Sequence, residues 1–144
     1  MNPLLGIDLN DAASNGVFFV TQDDIAALNR AAQSTSLRTL PVDLHHCTGK
    51  ASLLRHLDDA LHFPAGFGGN WDALSDSLRD LSWLNAKGYL LLIMHAETLR
   101  EADETEFDIF LDILDEAAES WRTASVPFFA CIALPESAAD EADA

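Results

Sequence analysis

Six consecutive apolar residues, Tyr89-Leu90-Leu91-Leu92-Ile93-Met94, follow Gly88. A strand with water on one side alternates apolar and polar residues. An unbroken apolar run has a core on both sides, which requires a parallel sheet covered by helices on its two faces. Gly16–Val20 and residues 128–134, the latter entered just after Pro127, are runs of the same kind, and residues 39–45 read as a further strand. Between them the apolar period changes from two to that of a helix. Thr21 caps a helix with Asp23 and Asp24 in its first turn and Ile25, Leu28 and Ala32 on its buried side. Lys50–Leu61 turns Leu53, Leu57, Ala60 and Leu61 inward, and residues 105–121 turn in Phe107, Phe110, Leu111, Leu114, Ala118 and Trp121. Strands alternating with helices give an α/β fold, a small parallel sheet packed with helices.

The 144 residues suit one domain with one ordinary core. The chain divides into a flexible N-terminus over 1–15, a single domain over 16–134 and a disordered acidic tail over 135–144. Within that domain residues 16–38 form a βα extension. No run approaches the roughly 18 apolar residues of a membrane span. The first residues lack the basic and apolar regions of a secretory signal, so the expected compartment is cytoplasmic. Cys47 and Cys131 then read as free, packing thiols.

Function is most visible between Phe67 and Leu84, where the chain reads FGGNWDALSDSLRDLSWL. Asn70 is placed to cap a short helix. On its wheel Trp71, Leu74, Leu78 and Leu81 share one side, and Asp72, Asp76 and Asp80 line the other. Carboxylates four residues apart repel one another and lend an isolated helix no stability. A cationic partner gives such a stripe a use; without one it is a solvated face. The whole chain carries 24 acidic against 8 basic side chains, a net charge of −16. That charge disfavours nucleic acid and anionic membranes and favours basic proteins.

The pattern Phe67-Gly68-x-Asn70-x-Asp72-Ala73-Leu74-x-Asp76-x-Leu78 resembles the signature of the barstar family, small acidic intracellular inhibitors of barnase-type ribonucleases. The resemblance extends more weakly over residues 39–134. It implies a barstar-like sheet of three core strands, with the Gly16–Val20 strand added to it. It also implies a basic ribonuclease as partner, bound by a chain that is monomeric when free. Asp76 would be the central anion in the nuclease phosphate site, with Asp72 beside it and Asn70 setting the helix start. Phe110-Leu111-x-Ile113-Leu114-x-Glu116-Ala117 matches the region where family members present a second acid, which places Glu116 in the interface. Phe67 and Gly66 belong to the loop that leads into the contact helix. At Gly66 and at Ser75 the family's inhibitor carries aromatic residues, a tryptophan in the second case, and Arg79 puts a positive charge on the presumed contact face. The alternative is an acidic adaptor whose basic partner is no nuclease.

Chemistry of other kinds finds less support. General acid–base work by Asp72 and Asp76 needs a cleft that separates their acidities, and no nucleophile or histidine lies nearby in sequence. In a strand His45 and Cys47 would share a side with His46 opposite, but no second ligand pair stands at zinc spacing. His56, His62 and His95 are scattered. There is no phosphate-gripping loop, dinucleotide fingerprint or calcium loop, and neither a cofactor nor a metal is expected.

Overall fold

The computed structural model describes residues 7–135. Its strands are β1 (Gly16–Val20), β2 (Arg38–Asp43), β3 (Tyr89–Met94) and β4 (Phe128–Ala133), all parallel, in the order β1-β4-β3-β2. The helices are α1 (Gln22–Ala32), α2 (Lys50–Leu61), α3 (Trp71–Asp80), α4 (Glu97–Ala102) and α5 (Glu104–Thr123). Short 3₁₀ turns stand at Ala12–Ser14 and Ser82–Leu84. Among the described residues no helix is long and apolar enough to cross a membrane.

Strand periodicity divides the interior. Tyr89, Leu91 and Ile93 of β3 join Phe128, Ala130 and Ile132 of β4 in a core shared with α2, α3 and α5. Their neighbours Leu90, Leu92, Phe129, Cys131 and Ala133 point the other way, into a core shared with Ile25, Leu28 and Ala32 of α1. Both faces of the central strands are therefore dry, as their unbroken apolar runs require. Gly88 permits the close approach at the sheet's entrance. A Cβ there would lie 2.4 Å from Leu37 and 3.0 Å from the Pro127 carbonyl, at the point where the Arg38 N–H donates to the Gly88 carbonyl and the Tyr89 N–H to that of Pro127.

Several local expectations change. In the segment read as a flexible N-terminus, Ile7 and Leu9 are buried in the α1 core. Asn15 donates to the carbonyls of Ala118 (3.2 Å) and Val126 (2.9 Å) and accepts from the Phe128 N–H (2.7 Å). That segment thus joins the end of α5 to the start of β4. Strand β2 stops at Asp43 rather than at residue 45, because the Cys47 N–H closes a turn onto Leu44 and His46 takes a left-handed φ of 64°. In α2 Leu53, Leu57 and Leu61 are buried as expected and Leu54 joins them, with Ala60 only partly covered; in α5 Ile113 and Ala117 are also buried while Leu111 and Trp121 are half-buried. Residues 136–144 of the expected tail lie outside the described residues.

Candidate functional site

Helix α3 starts where the expected cap stands. Asn70 has extended backbone, and its Oδ1 accepts the Ala73 N–H at 2.7 Å. Asp72, in the first turn, has a charge that suits the positive end of the helix. Leu74 and Leu78 are fully buried, and Leu81, in left-handed conformation, ends the helix with its N–H on the Ser77 carbonyl. Two tryptophans fasten α3 to α5. The Trp71 indole N–H donates to Glu106 Oε2 at 3.1 Å near the start of both helices, and that of Trp121 donates to the Leu78 carbonyl at 2.8 Å near their ends. The helices therefore run parallel, and Lys50 Nζ lies 5.6 Å from the centre of the Trp71 ring. A short helix held at both ends presents its outer side chains from a fixed backbone.

On that outer side Asp72, Asp76, Arg79 and Asp80 are exposed and Ser75 is half-exposed. Arg79 folds back along the helix: its Nη2 lies 2.7 Å from Asp76 Oδ1, and its Nε donates to the Ser75 carbonyl at 3.2 Å. The acid expected at the centre of the contact is thus already paired within its own helix. Asp80 Oδ2 accepts a hydrogen bond from the Ser82 hydroxyl. Gly66 is exposed with φ at +96°, and Phe67, half-buried, packs against Phe63 with ring centres 4.4 Å apart and planes tilted by 41°. Gly66 and Phe67 face Asp76 across a groove of about 300 Å³, whose walls also include Asp80 and Trp83. Glu116 stands exposed on α5, the helix packed along α3, and has no hydrogen-bond or ion-pair partner among the described residues.

The structure therefore brings Asn70, Asp72, Ser75, Asp76 and Arg79 together on one helix and Gly66 and Phe67 on the loop beside it, with Glu116 on the adjoining helix. Sequence reasoning missed the pairing of Asp76 with Arg79, although their i, i+3 spacing is the signal for it. It also left Trp83 without a role. Ser77 lines the groove with Asp76 and Asp80, and no histidine stands beside it among the described lining residues; the two carboxylates give this surface hydrogen-bond acceptors and negative charge.

The histidine and cysteine cluster comes apart. With β2 ended at Asp43, Cys47 turns into the main core, where the Ser52 hydroxyl donates to its Sγ at 3.0 Å and burial pushes the thiol up from its ordinary range. His45 stays outside, its ring 3.8 Å from that of His46 and 5.5 Å from that of His95. His95 Nδ1 lies 2.7 Å from Asp43 Oδ1, and this hydrogen bond is the main cause that holds the Asp43 carboxyl below its usual value. His56 Nδ1 donates to the Ser52 carbonyl. Among the described residues no group of three His, Cys, Asp or Glu side chains is arranged to hold a metal ion. Burial drives the Cys131 thiol up to about 12.

Comparison with known proteins agrees with this architecture. The fold is similar to part of the Aeropyrum pernix ORC2 protein, solved as ADPNP–ADP complexes, at a TM-score of 0.53 and 12% sequence identity. The alignment covers 88% of this chain and 36% of that one, so this chain spans little more than a third of its length. No curated protein matches the sequence. The family model described as Barstar (barnase inhibitor) matches residues 37–133, the stretch from β2 to the end of β4 that carries α3 and α5. A match over about two thirds of the sequence establishes that the chain belongs to the Barstar family.

Proposed function

We propose that this protein inhibits a basic ribonuclease by laying the carboxylates of α3 in the site where the enzyme grips RNA phosphate. The observation that carries this reading is Asp72 and Asp76 exposed on a helix capped by Asn70 and fastened to α5 by two indole hydrogen bonds. The family's description as a barnase inhibitor supplies the class of partner. Arginine, lysine and histidine side chains that hold a phosphate can hold a carboxylate through the same charge-assisted hydrogen bonds. A pre-formed helix loses little freedom on docking, so more of that interaction survives as affinity. Asp76 is the central anion, Asp72 flanks it, and Glu116 adds a contact from α5. A net charge of −16 speeds encounter with a cationic enzyme and makes association sensitive to salt.

The solved neighbour's adenine nucleotides supply no competing reading. A phosphate site at the first strand–helix turn of an α/β fold needs a glycine-rich loop and free N–H groups at the helix start. Here that turn is Val20-Thr21-Gln22. The N–H groups of Thr21 and Asp24 are taken by a capping box, and Asp23 and Asp24 put negative charge where phosphate would lie.

A second reading, an acidic adaptor for a basic protein that is not a nuclease, draws on the Arg79–Asp76 pair, which partly neutralises the central anion. An RNA-cleavage assay separates the two. With a barnase-type ribonuclease, stoichiometric loss of cleavage on adding the protein, relieved in the Asp72→Asn/Asp76→Asn double variant, is the expected result. Undiminished cleavage with a molar excess of protein would transfer the function to the adaptor reading.

A further inference from the structure

Among the described residues one large apolar side chain stands exposed, Phe19 of β1, at 50%. Val17, two residues earlier on the same side of the strand, packs against the main core. Phe19 instead walls a groove of about 170 Å³, whose other apolar surface comes from Phe107, Leu111 and Leu134. A lone exposed hydrophobe is ordinary; one that borders an apolar hollow extends a patch. The volume lies below the roughly 300–1,000 Å³ of small-molecule sites and suits a side chain or two. The rim carries both signs of charge. Arg100 of α4 and Glu104 and Asp108 of α5 line the same groove, and their side chains have no hydrogen bond or ion pair among the described residues. On the wheel of α5, Glu104, Asp108 and Leu111 lie on the flank turned away from Glu106, whose carboxylate holds the Trp71 indole of α3. The groove is therefore separate from the acidic face of α3, and Phe19 lies outside the family-matched residues 37–133.

We propose that two copies of this chain pair through this patch about a two-fold axis, the Phe19 ring of each covering the apolar groove of the other and Arg100 of each meeting Glu104 and Asp108 of the other. A two-fold contact needs both halves of every interaction on one surface, because residue i meets j at one end and j meets i at the other. This surface has them: a projecting ring beside an apolar hollow, and a cation beside two acids. The guanidinium matters because each copy carries a net charge of −16, which opposes any self-contact of acid with acid. Here opposite charges meet twice per dimer. The chain beyond Leu134 fits the groove less well. Residues 136–144 read Glu-Ser-Ala-Ala-Asp-Glu-Ala-Asp-Ala and offer no large apolar side chain to fill it. Pairing through the far flank of α5 leaves α3 uncovered, so the proposal stands apart from the inhibitor reading.

Sedimentation equilibrium of the full chain, from low micromolar to near-millimolar concentration at physiological ionic strength, tests it. The expected result is a reversible monomer–dimer equilibrium with a dissociation constant on the order of 100 µM, fitting a contact at the small end of specific interfaces. Phe19→Ser removes an exposed ring from both sides of the dimer and should weaken it about ten-fold or more. Arg100→Glu alone and the Glu104→Arg/Asp108→Arg double variant alone should each be monomeric. An equimolar mixture of those two should dimerise again, since every repulsive contact then becomes attractive. Thermal unfolding of each variant is followed alongside. A parent chain that stays monomeric throughout, dimers that persist unchanged in Phe19→Ser, or a mixture no more associated than its components would overturn the proposal. So would a monomeric parent whose melting temperature drops in Phe19→Ser, a result that gives the groove to another segment of the same chain.

Discussion

On one face of the sheet Tyr89, Leu91 and Ile93 lie under three helices; on the other Leu90 and Leu92 lie under α1, with Ile7 and Leu9 beside it. The thick face belongs to the family-matched region and bears α3 and its groove. The thin face is supplied largely by residues before position 37. A single helix does not cover it fully: beside the β2 edge a groove of about 380 Å³ remains, lined by Ile25, Thr39, Pro41 and Leu92 among others. The difference separates two jobs. The thick layer holds the site rigid, and the thin layer keeps the back of the sheet dry. The βα extension thus covers the second apolar side of these strands.

Removing residues 1–36 breaks that comparison most severely. It takes away β1 and α1 and exposes Leu90, Leu92, Phe129 and Cys131. The truncated chain should lose its cooperative thermal transition and bind a hydrophobic dye; a sharp transition near that of the full chain would show that α1 is dispensable. Single cavities compare the layers more finely. Leu78→Ala, between α3, α5 and the sheet, should cost about 3–5 kcal/mol in urea unfolding, and Leu28→Ala about 2–3 kcal/mol, since the lone α1 can settle into the space. Equal losses would mean that the two layers are equally rigid. Asn70→Ala removes one cap from α3 and should cost about 1 kcal/mol. A similar stability loss accompanied by weaker partner binding would show that the cap positions the helix as well as stabilising it.

The smallest effect concerns pH. The hydrogen bond from His95 lowers the Asp43 carboxyl in the folded protein below its ordinary 3.8. An acid lowered on folding stabilises at any pH above its unfolded value and loses that contribution as pH falls through the folded one. Asp43→Asn should therefore reduce the urea midpoint at neutral pH slightly and flatten its decline below pH 3.8. Identical acid profiles for both proteins would remove the pair from the stability account.

Much of this was legible from residue order, for identifiable reasons. The β3 run, the Thr21 and Asn70 caps and the α3 wheel depend on local periodicity and local hydrogen bonds, so they appear where expected. What escaped depends on distant partners. Asn15 reads as a polar residue before a strand, and only the fold brings the Ala118 and Val126 carbonyls to it. Helix α4 has six residues and no side-chain cap, which leaves no periodic signal. Residues 44–47 look like strand because His45 and Cys47 alternate, yet the Leu44–Cys47 turn places one outside and the other in the core. In the site, the helix face was visible and the groove was not, because its other wall comes from the 64–68 loop and Trp83.

The central claim is that α3 presents Asp76 to a cationic enzyme site. Titration calorimetry with a barnase-type ribonuclease at low and at high salt, run for the protein and for Asp76→Ala, tests it most directly. The account predicts one-to-one binding that weakens with salt and falls about 100-fold in the variant, the loss of two charge-assisted hydrogen bonds, while the variant's urea midpoint stays close to that of the parent. Binding that is unchanged by the substitution, or heat absent at both salt concentrations, would contradict it.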